Sequence, residues 1–379
     1  VVAVVTMSLI IGMSVFNGME DLIRNLFSSF DPQIKVQPYQ GKTFIYHDSL
    51  RNVLLKTEGV ALITDVIEDN AVMMYGKESD VVKLKGVSSN FTQQNRLDTF
   101  IAEGKLKLKV DSQSFALIGR GLQYKLSINI KNQFIPITFY YPNKAKIKNI
   151  TSLDAFNRSS LLASGVFAIE KQYDDHYVIV PLEVCQQLMN YDHERSYLEI
   201  KVEEGYDIQD VQKAIRARLS HSYQVLNTDE QHESLLRAIR IEKLIVNIML
   251  ILILAISSVG IFFCLSMLVI QKRKHMAVLM SLGASRATVK NLFLIEGALI
   301  SLTGAVIGIV LGLTICWLQI RYGLVSIGTE TSVVDAYPVR ISFNDVWITF
   351  IAVIGITFIA SIRPALKASS ISLKEHLQQ

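Results

Sequence analysis

The chain has 379 residues, 50% of them hydrophobic and only 19% charged, with a formal net charge of +4. A mean hydropathy of +0.32 is high for a soluble protein and indicates a membrane protein with a large wet part. So small a charge, with no basic stripe interleaved with aromatics, argues against nucleic-acid binding, and three scattered cysteines (Cys185, Cys264, Cys316) predict neither a disulfide framework nor a structural zinc.

Residues 1–16 (VVAVVTMSLIIGMSVF) are apolar, with no basic segment before them and no small-residue cleavage site after them. They predict the outer part of an N-terminally incomplete first transmembrane helix rather than a signal peptide. A stalk follows at 17–32, in which Leu22, Ile23, Leu26, Phe27 and Phe30 make one helical stripe that Asp31-Pro32 ends. Residues 33–228 carry mixed α/β signals. Short apolar or alternating runs predict strands at Ile34-Lys35-Val36, Val81 to Leu84, Phe115 to Ile118, Tyr177 to Val180 and Leu198 to Val202. Between 206 and 220, Ile208, Val211, Ile215 and Leu219 recur at helical spacing. The stretch from about 76 to 170, richer in strands and turns, is expected to be an inserted subdomain.

A second stalk, 229–243, opens with Thr228-x-x-Gln231 in capping-box form and continues into a charge-free run at 244–270. One helix from 229 to 270 would be about 60 Å long, enough to cross a bilayer and stand above it as a lever. Further spans are expected at 292–318, which carries Glu296 alone, and at 346–362, closed by Arg363-Pro364. The segment 271–291 holds Lys272, Arg273, Lys274, Arg286 and Lys290, and the tail 363–379 holds Arg363, Lys367 and Lys374, whereas the loop 319–345 is charge-balanced. Basic flanks stay in the cytoplasm, so 271–291 and the tail are expected inside, with 319–345 and the large domain outside. The fold class is therefore an α-helical membrane protein of four spans, with a large mixed α/β periplasmic domain between the first and second.

Catalytic chemistry is not legible. There is no G-x-x-x-x-G-K-[ST], no G-x-S-x-G, no H-E-x-x-H, and the seven histidines do not cluster. Asp174, Asp175 and His176 read as a solvated turn before a strand. Two features remain. Within 271–291, Met276, Leu279 and Met280 share one helix face, Leu282-Gly283-Ala284-Ser285 turns the chain, and Ser285 can cap the next helix. An amphipathic helix of this kind lies in the headgroups or docks in a partner's groove. In the third span, Gly304, Gly308 and Gly312 form a smooth strip for close helix packing.

The run RKHMAVLMSLGASRATVKNLFLIEGALISLTGAVIGIVLGL resembles the core of FtsX-like ABC transporter permeases, the family that includes the exporter MacB and the Lol-type lipoprotein-releasing subunits LolC and LolE. The ending RPALKASSISLKEHL is similar to that family's P-A-x-x-A-S-x-x-x-P-x-E-x-L, with Ser372 where a proline is usual. The segments 14–44, 118–130 and 163–189 resemble the Lol-type subunits more specifically, without separating LolC from LolE.

The resemblance implies that Met276, Leu279, Met280, Leu282, Gly283, Ala284 and Ser285 form a coupling helix gripped by a cytoplasmic ABC ATPase dimer. That partner would hold the ATP and Mg, with no cofactor, metal or catalytic residue on this chain. It also implies a second permease subunit, identical or not, in the bacterial inner membrane, a triacylated lipoprotein as substrate, a periplasmic carrier as acceptor, and mechanical transmission between them. Met19, Ile23, Phe27 and Phe30 are the expected lipid-side contacts. A MacB-type exporter of peptides or small molecules, and an FtsX-like regulator of a cell-wall hydrolase, are the alternative readings.

Overall fold

The computed structural model describes residues 2–132, 134–143, 155–326 and 336–369. In chain order they form α1 (Val2–Phe30), β1 (Ile34–Pro38), β2 (Phe44–Ile45), α2 (Asp48–Leu55), β3 (Val60–Tyr75), β4 (Glu78–Val87), β5 (Ile101–Gly104), β6 (Lys109–Val110), β7 (Gln113–Gly119), α3 (Arg120–Lys125), β8 (Ile137–Pro142) and β9 (Phe156–Phe167). Then come α4 (Lys171–Asp174), β10 (Tyr177–Pro181), α5 (Leu182–Met189), β11 (Glu194–Arg195), β12 (Tyr197–Val202), α6 (Ile208–Arg218), β13 (Tyr223–Asn227), α7 (Thr228–Gln231), α8 (Glu233–Gln271), α9 (Arg273–Ser281), α10 (Arg286–Tyr322) and α11 (Phe343–Ser369). Two compact units result: Ile23–Glu233 is the α/β unit, and the helical unit takes the described residues up to Leu22 and from Ser234 onward.

The α/β unit is organised around β3, which is 16 residues long and joins two parts of one 11-stranded sheet. Its first half pairs with β12, which pairs with β1 and then β13, all antiparallel. Period-2 alternation gives this limb two faces. Ile34, Val36, Leu198 and Ile200 point to one side, where Leu50 and Leu54 of α2 and Val211 and Ile215 of α6 cover them. Asp207 starts α6 by accepting from the backbone N–H groups of Gln209 and Asp210. Lys35, Tyr197 and Glu199 alternate onto the opposite face.

The second half of β3 enters a closed ring of pairings, β3–β4–β10–β7–β9–β8 and back to β3. Met73, Leu84, Ile118, Phe139 and Val178 fill this six-stranded barrel. The expected inserted subdomain at 76–170 is corrected accordingly. Residue 76 falls in the turn of the β3–β4 hairpin, and the barrel cannot close without β3 and β10, which lie outside 76–170; β3 is also shared with the β12 limb of the sheet.

In the helical unit, the helices long and apolar enough to cross a membrane are, among the described residues, α1, α8, α10 and α11 as far as Leu366. Leu9, Leu254, Ile261, Leu265, Ala305 and Val353 meet at their centre. A polar tie joins α1, α8 and the start of α11: Lys243 Nζ donates to Asn17 Oδ1 at 2.7 Å, and Asn17 Nδ2 donates to Asp345 Oδ2 at 2.5 Å.

Several expected boundaries change. The first span and stalk (1–16, 17–32) are one helix, because nothing breaks it before Asp31-Pro32 and Gly18 stays helical. The single helix from 229 is interrupted at His232. The capping box is formed by Asn227 and Glu230, one residue earlier than expected, and makes the separate turn α7 before α8 starts at Glu233. The third span extends to Arg286–Tyr322, and α11 runs through Pro364 instead of ending there. Residues 327–335 of the expected outer loop and 370–379 of the tail, with Lys374, lie outside the described residues.

Asp174 also departs from the expected solvated turn: it is buried and accepts from the Ile169 N–H at 3.0 Å. Burial pushes its carboxyl up to about 7, from 3.8. Between these values the unfolded chain ionises while the fold holds the proton, so this group's contribution to stability falls as pH rises, and the full penalty is present above about 7. The gap is worth on the order of 4 kcal/mol. Asp174→Asn keeps an oxygen for Ile169 and cannot ionise. It is expected to raise the melting temperature clearly at pH 8 and scarcely at pH 4; an equal shift at both would refute the assignment.

Candidate functional site

Two places gather the residues that matter, the α9–α10 hairpin and the foot of α1. In the hairpin, α9 ends in a Schellman motif. Gly283 has φ +100°, its N–H donates to Met280 O at 3.2 Å, and the Ala284 N–H donates to Leu279 O at 3.0 Å. Ser285 then caps α10, accepting from the Thr288 N–H at 3.1 Å. A glycine and a serine thus fix the angle between two helices with no side chain needed inside the turn.

Met276 is buried against Val269, Val289, Phe293 and Ala365, with Met280 half-buried beside it. The expectation that Met276 offers itself to a partner is therefore corrected: the face carrying Met276 and Met280 is the hairpin's own core. The apolar surface left over is Val278, Leu279 and Leu282, exposed by 57%, 45% and 80%. Val278 was missed because helical phase does not say which of two neighbouring stripes the bundle covers. Lys272, Lys274, His275 and Arg286 are exposed around it.

The glycine strip of α10 packs on α1. A Cβ on Gly304 would stand 2.8 Å from Val2 Cβ, one on Gly308 2.5 Å from Ala3 O, and one on Gly312 3.0 Å from Ile10 Cβ.

At the foot of α1, Phe27 and Phe30 are core residues, contrary to their expected role as lipid contacts; Met19 and Ile23 are half-buried. Phe30 packs on Tyr173 with ring centroids 4.3 Å apart, and Phe27 stacks on the His232 ring at 3.7 Å. Asp31 accepts from Tyr173 Oη at 2.5 Å and meets His232 Nε2 at 2.7 Å. Burial alone would raise the Asp31 carboxyl, but these two hydrogen bonds and the nearby Lys85 charge outweigh it and hold it below the usual range.

Beneath Phe30 lies a buried triad that the sequence did not disclose. Glu199 pairs with Lys85 Nζ at 2.8 Å and with the Arg96 guanidinium. The Lys85 contact is an ion pair whose geometry falls outside a hydrogen bond. Burial would raise Glu199, but Arg96 first and Lys85 second reverse the shift and hold it low.

Helices long and apolar enough to span a membrane, with a basic, apolar-tipped hairpin between two of them and a large α/β domain after the first, define a multi-span membrane protein with a large domain outside the spans. Residues 1–218 match the family model of the MacB-like periplasmic core domain, and residues 247–373 that of the FtsX-like permease C-terminal region. The chain belongs to this family: it is an ABC transporter permease, a membrane protein with a periplasmic domain and an ATPase partner. It is similar to the lipoprotein-releasing system transmembrane protein LolC of Buchnera aphidicola subsp. Schizaphis graminum, 24% identical over 89% of this chain and 84% of that one. It is also similar to LolE of Haemophilus influenzae, 20% identical over 96% of this chain and 89% of the relative. LolC of Neisseria meningitidis serogroup B is 23% identical over 98% of this chain and 90% of the relative.

Proposed function

We propose that this permease is a subunit of an inner-membrane transporter that extracts lipoproteins and hands them to a periplasmic carrier, driven by ATP hydrolysis on a partner dimer. The observation that carries this reading is the extent of its similarity to proteins named for lipoprotein release, 89% to 98% of the chain in the three cases above. ATP and Mg belong to the partner, and a second permease subunit completes the assembly. This chain's own part is mechanical. Val278, Leu279 and Leu282 on the α9–α10 hairpin dock in the ATPase, and closure of the ATPase moves the helices packed on Met276 and Phe293. α1 and α8, which run into the periplasmic domain, carry the movement to it. The work is substantial, since drawing acyl chains out of a bilayer costs about 0.8 kcal/mol per CH₂ exposed.

The test is reconstitution of the permease with its co-purifying ATPase and a triacylated lipoprotein in proteoliposomes. ATP-dependent appearance of the lipoprotein in the soluble fraction, in the presence of carrier, is the expected result. ATP hydrolysis coupled to the permease with no release would leave an ABC permease but remove the lipoprotein substrate, in favour of a MacB-type exporter or an FtsX-like regulator.

A further inference from the structure

We propose that the buried triad Lys85–Glu199–Arg96 is a socket that locks the end of α1 onto the sheet, and that it positions this joint so that movement of α1 reaches the periplasmic domain. The second half of this proposal rests on the mechanical reading above.

The need for a socket follows from how α1 ends. A helix leaves its last carbonyls without partners inside the helix, and its C-terminal end carries partial negative charge. In α1 the Asp31 N–H satisfies Phe27 O at 2.8 Å, and Pro32, which has no N–H, prevents the next turn. The final carbonyl, Phe30 O, instead accepts from Arg96 Nη1 at 3.0 Å. Lys85 Nζ sits 4.4 Å from the centroid of the Phe30 ring. Two cations thus meet the negative end of α1, one at the carbonyl and one at the side chain of the same residue. Glu199 pairs with both and holds them together.

The chemistry of the triad favours this over a role in stability. Lys85 is 1% exposed and Glu199 0%. Burying such groups costs several kcal/mol each in desolvation, and apolar residues of similar volume often give equal or greater stability in such places. Apolar residues could not cap Phe30 O or place a cation on the ring. What the ions add is a fixed position and direction for the last turn of α1. They also spread the attachment over three places, since Lys85 lies in β4, Glu199 in β12, and Arg96 in the segment between β4 and β5. Force arriving along α1 is therefore delivered to two strands of the sheet rather than to one loop.

The test uses the full-length permease with its ATPase in lipid nanodiscs and proteoliposomes. Glu199→Gln alone leaves buried cations under-paired and will lower stability, so the deciding variant is Lys85→Met/Arg96→Met/Glu199→Leu, which removes the charges together. It is expected to melt close to wild type, while amide hydrogen exchange over residues 26–34 rises about tenfold and that of the barrel strands does not change. Lipoprotein released per ATP hydrolysed is expected to fall at least about fivefold with the ATPase rate nearly unchanged, because the loss is one of coupling. Unchanged exchange at 26–34 would overturn the socket. Faster exchange with an unchanged release ratio would leave a structural joint and overturn the positioning role. If the wild type hydrolyses ATP but releases nothing, the lipoprotein reading fails while the exchange result still decides the socket.

Discussion

A carboxylate at Leu282 or Leu279 is expected to abolish ATP-driven release and binding of the ATPase while leaving the permease folded. Both side chains are exposed, Leu282 by 80%, so neither supports the bundle. Each exposed leucine buried on docking contributes roughly 1.5–3 kcal/mol. Leu282→Glu removes that gain and asks an ionised group to enter an apolar groove, a further cost of several kcal/mol unless it finds a partner. Together these weaken docking by about a hundredfold or more, in the manner of a central hot-spot residue. Neutralising the surrounding Lys272, Lys274 and Arg286 is expected to slow association rather than break the complex. Met276→Ala gives the contrast. Met276 packs on Phe293 and Val289, so its truncation leaves a cavity and costs about 2–5 kcal/mol of stability without touching the docking surface. Co-purification of the ATPase and thermal melting of each variant separate the two effects. Full ATPase binding by Leu282→Glu would remove this face from the docking surface.

That contrast marks the limit of what the sequence disclosed. The spans were legible because a long apolar run with at most one charge has no soluble alternative, and β1, β4, β7, β10 and β12 because their apolar residues alternate or cluster. The hairpin was legible as a helix, a glycine break and a serine cap. Its outward face was not, since Met276 and Leu279 lie on adjacent stripes and only the packing of Val269, Phe293 and Ala365 decides which is covered. β3 was missed for a different reason. Its centre, TDVIEDN, looks like a turn, yet Asp65 pairs with Arg195, Glu68 accepts from Tyr197 Oη at 2.6 Å, and Asp69 accepts from Tyr141 Oη at 2.9 Å. Each acid is answered by a residue far away in the chain. The triad was hidden in the same way. Lys83 and Lys85 alternate with Val82 and Leu84, which is the pattern of a solvated strand face, and nothing local reveals that Phe30, Arg96 and Glu199 bury Lys85. Phe27 and Phe30 do share one stripe of α1, but a stripe does not say whether lipid or protein will cover it.

The glycines of the helical unit allow a sharper test, because one substitution is expected to act with opposite signs at different sites. In an exposed helix interior, glycine to alanine is favourable by up to about 1 kcal/mol, since alanine gives up less backbone freedom on folding. Gly260 in α8 and Gly355 in α11 meet that condition: a Cβ there would find nothing within 4 Å. Gly308 does not. Its Cβ would lie 2.5 Å from Ala3 O and 2.6 Å from Thr6 Cβ, closer than such atoms approach, and the backbone of α1 has no flexible end to move aside. Gly308→Ala must therefore push α1 off α10, and because Gly304 and Gly312 touch α1 on either side, the separation is felt along the whole contact. Overpacking of this kind costs about 1–3 kcal/mol for one methyl group, and Gly308→Leu costs more. The expected result is a folded, slightly stabilised Gly260→Ala and Gly355→Ala, a destabilised Gly308→Ala, and a Gly308→Leu that fails to accumulate in the membrane, read by thermal melting in detergent and by expression level. If α1 transmits movement as proposed, activity should follow the same order, because a helix displaced at Gly308 is displaced along its whole contact with α10. If Gly308→Ala melts above wild type, as Gly260→Ala is expected to, then α1 and α10 are not in contact at this strip.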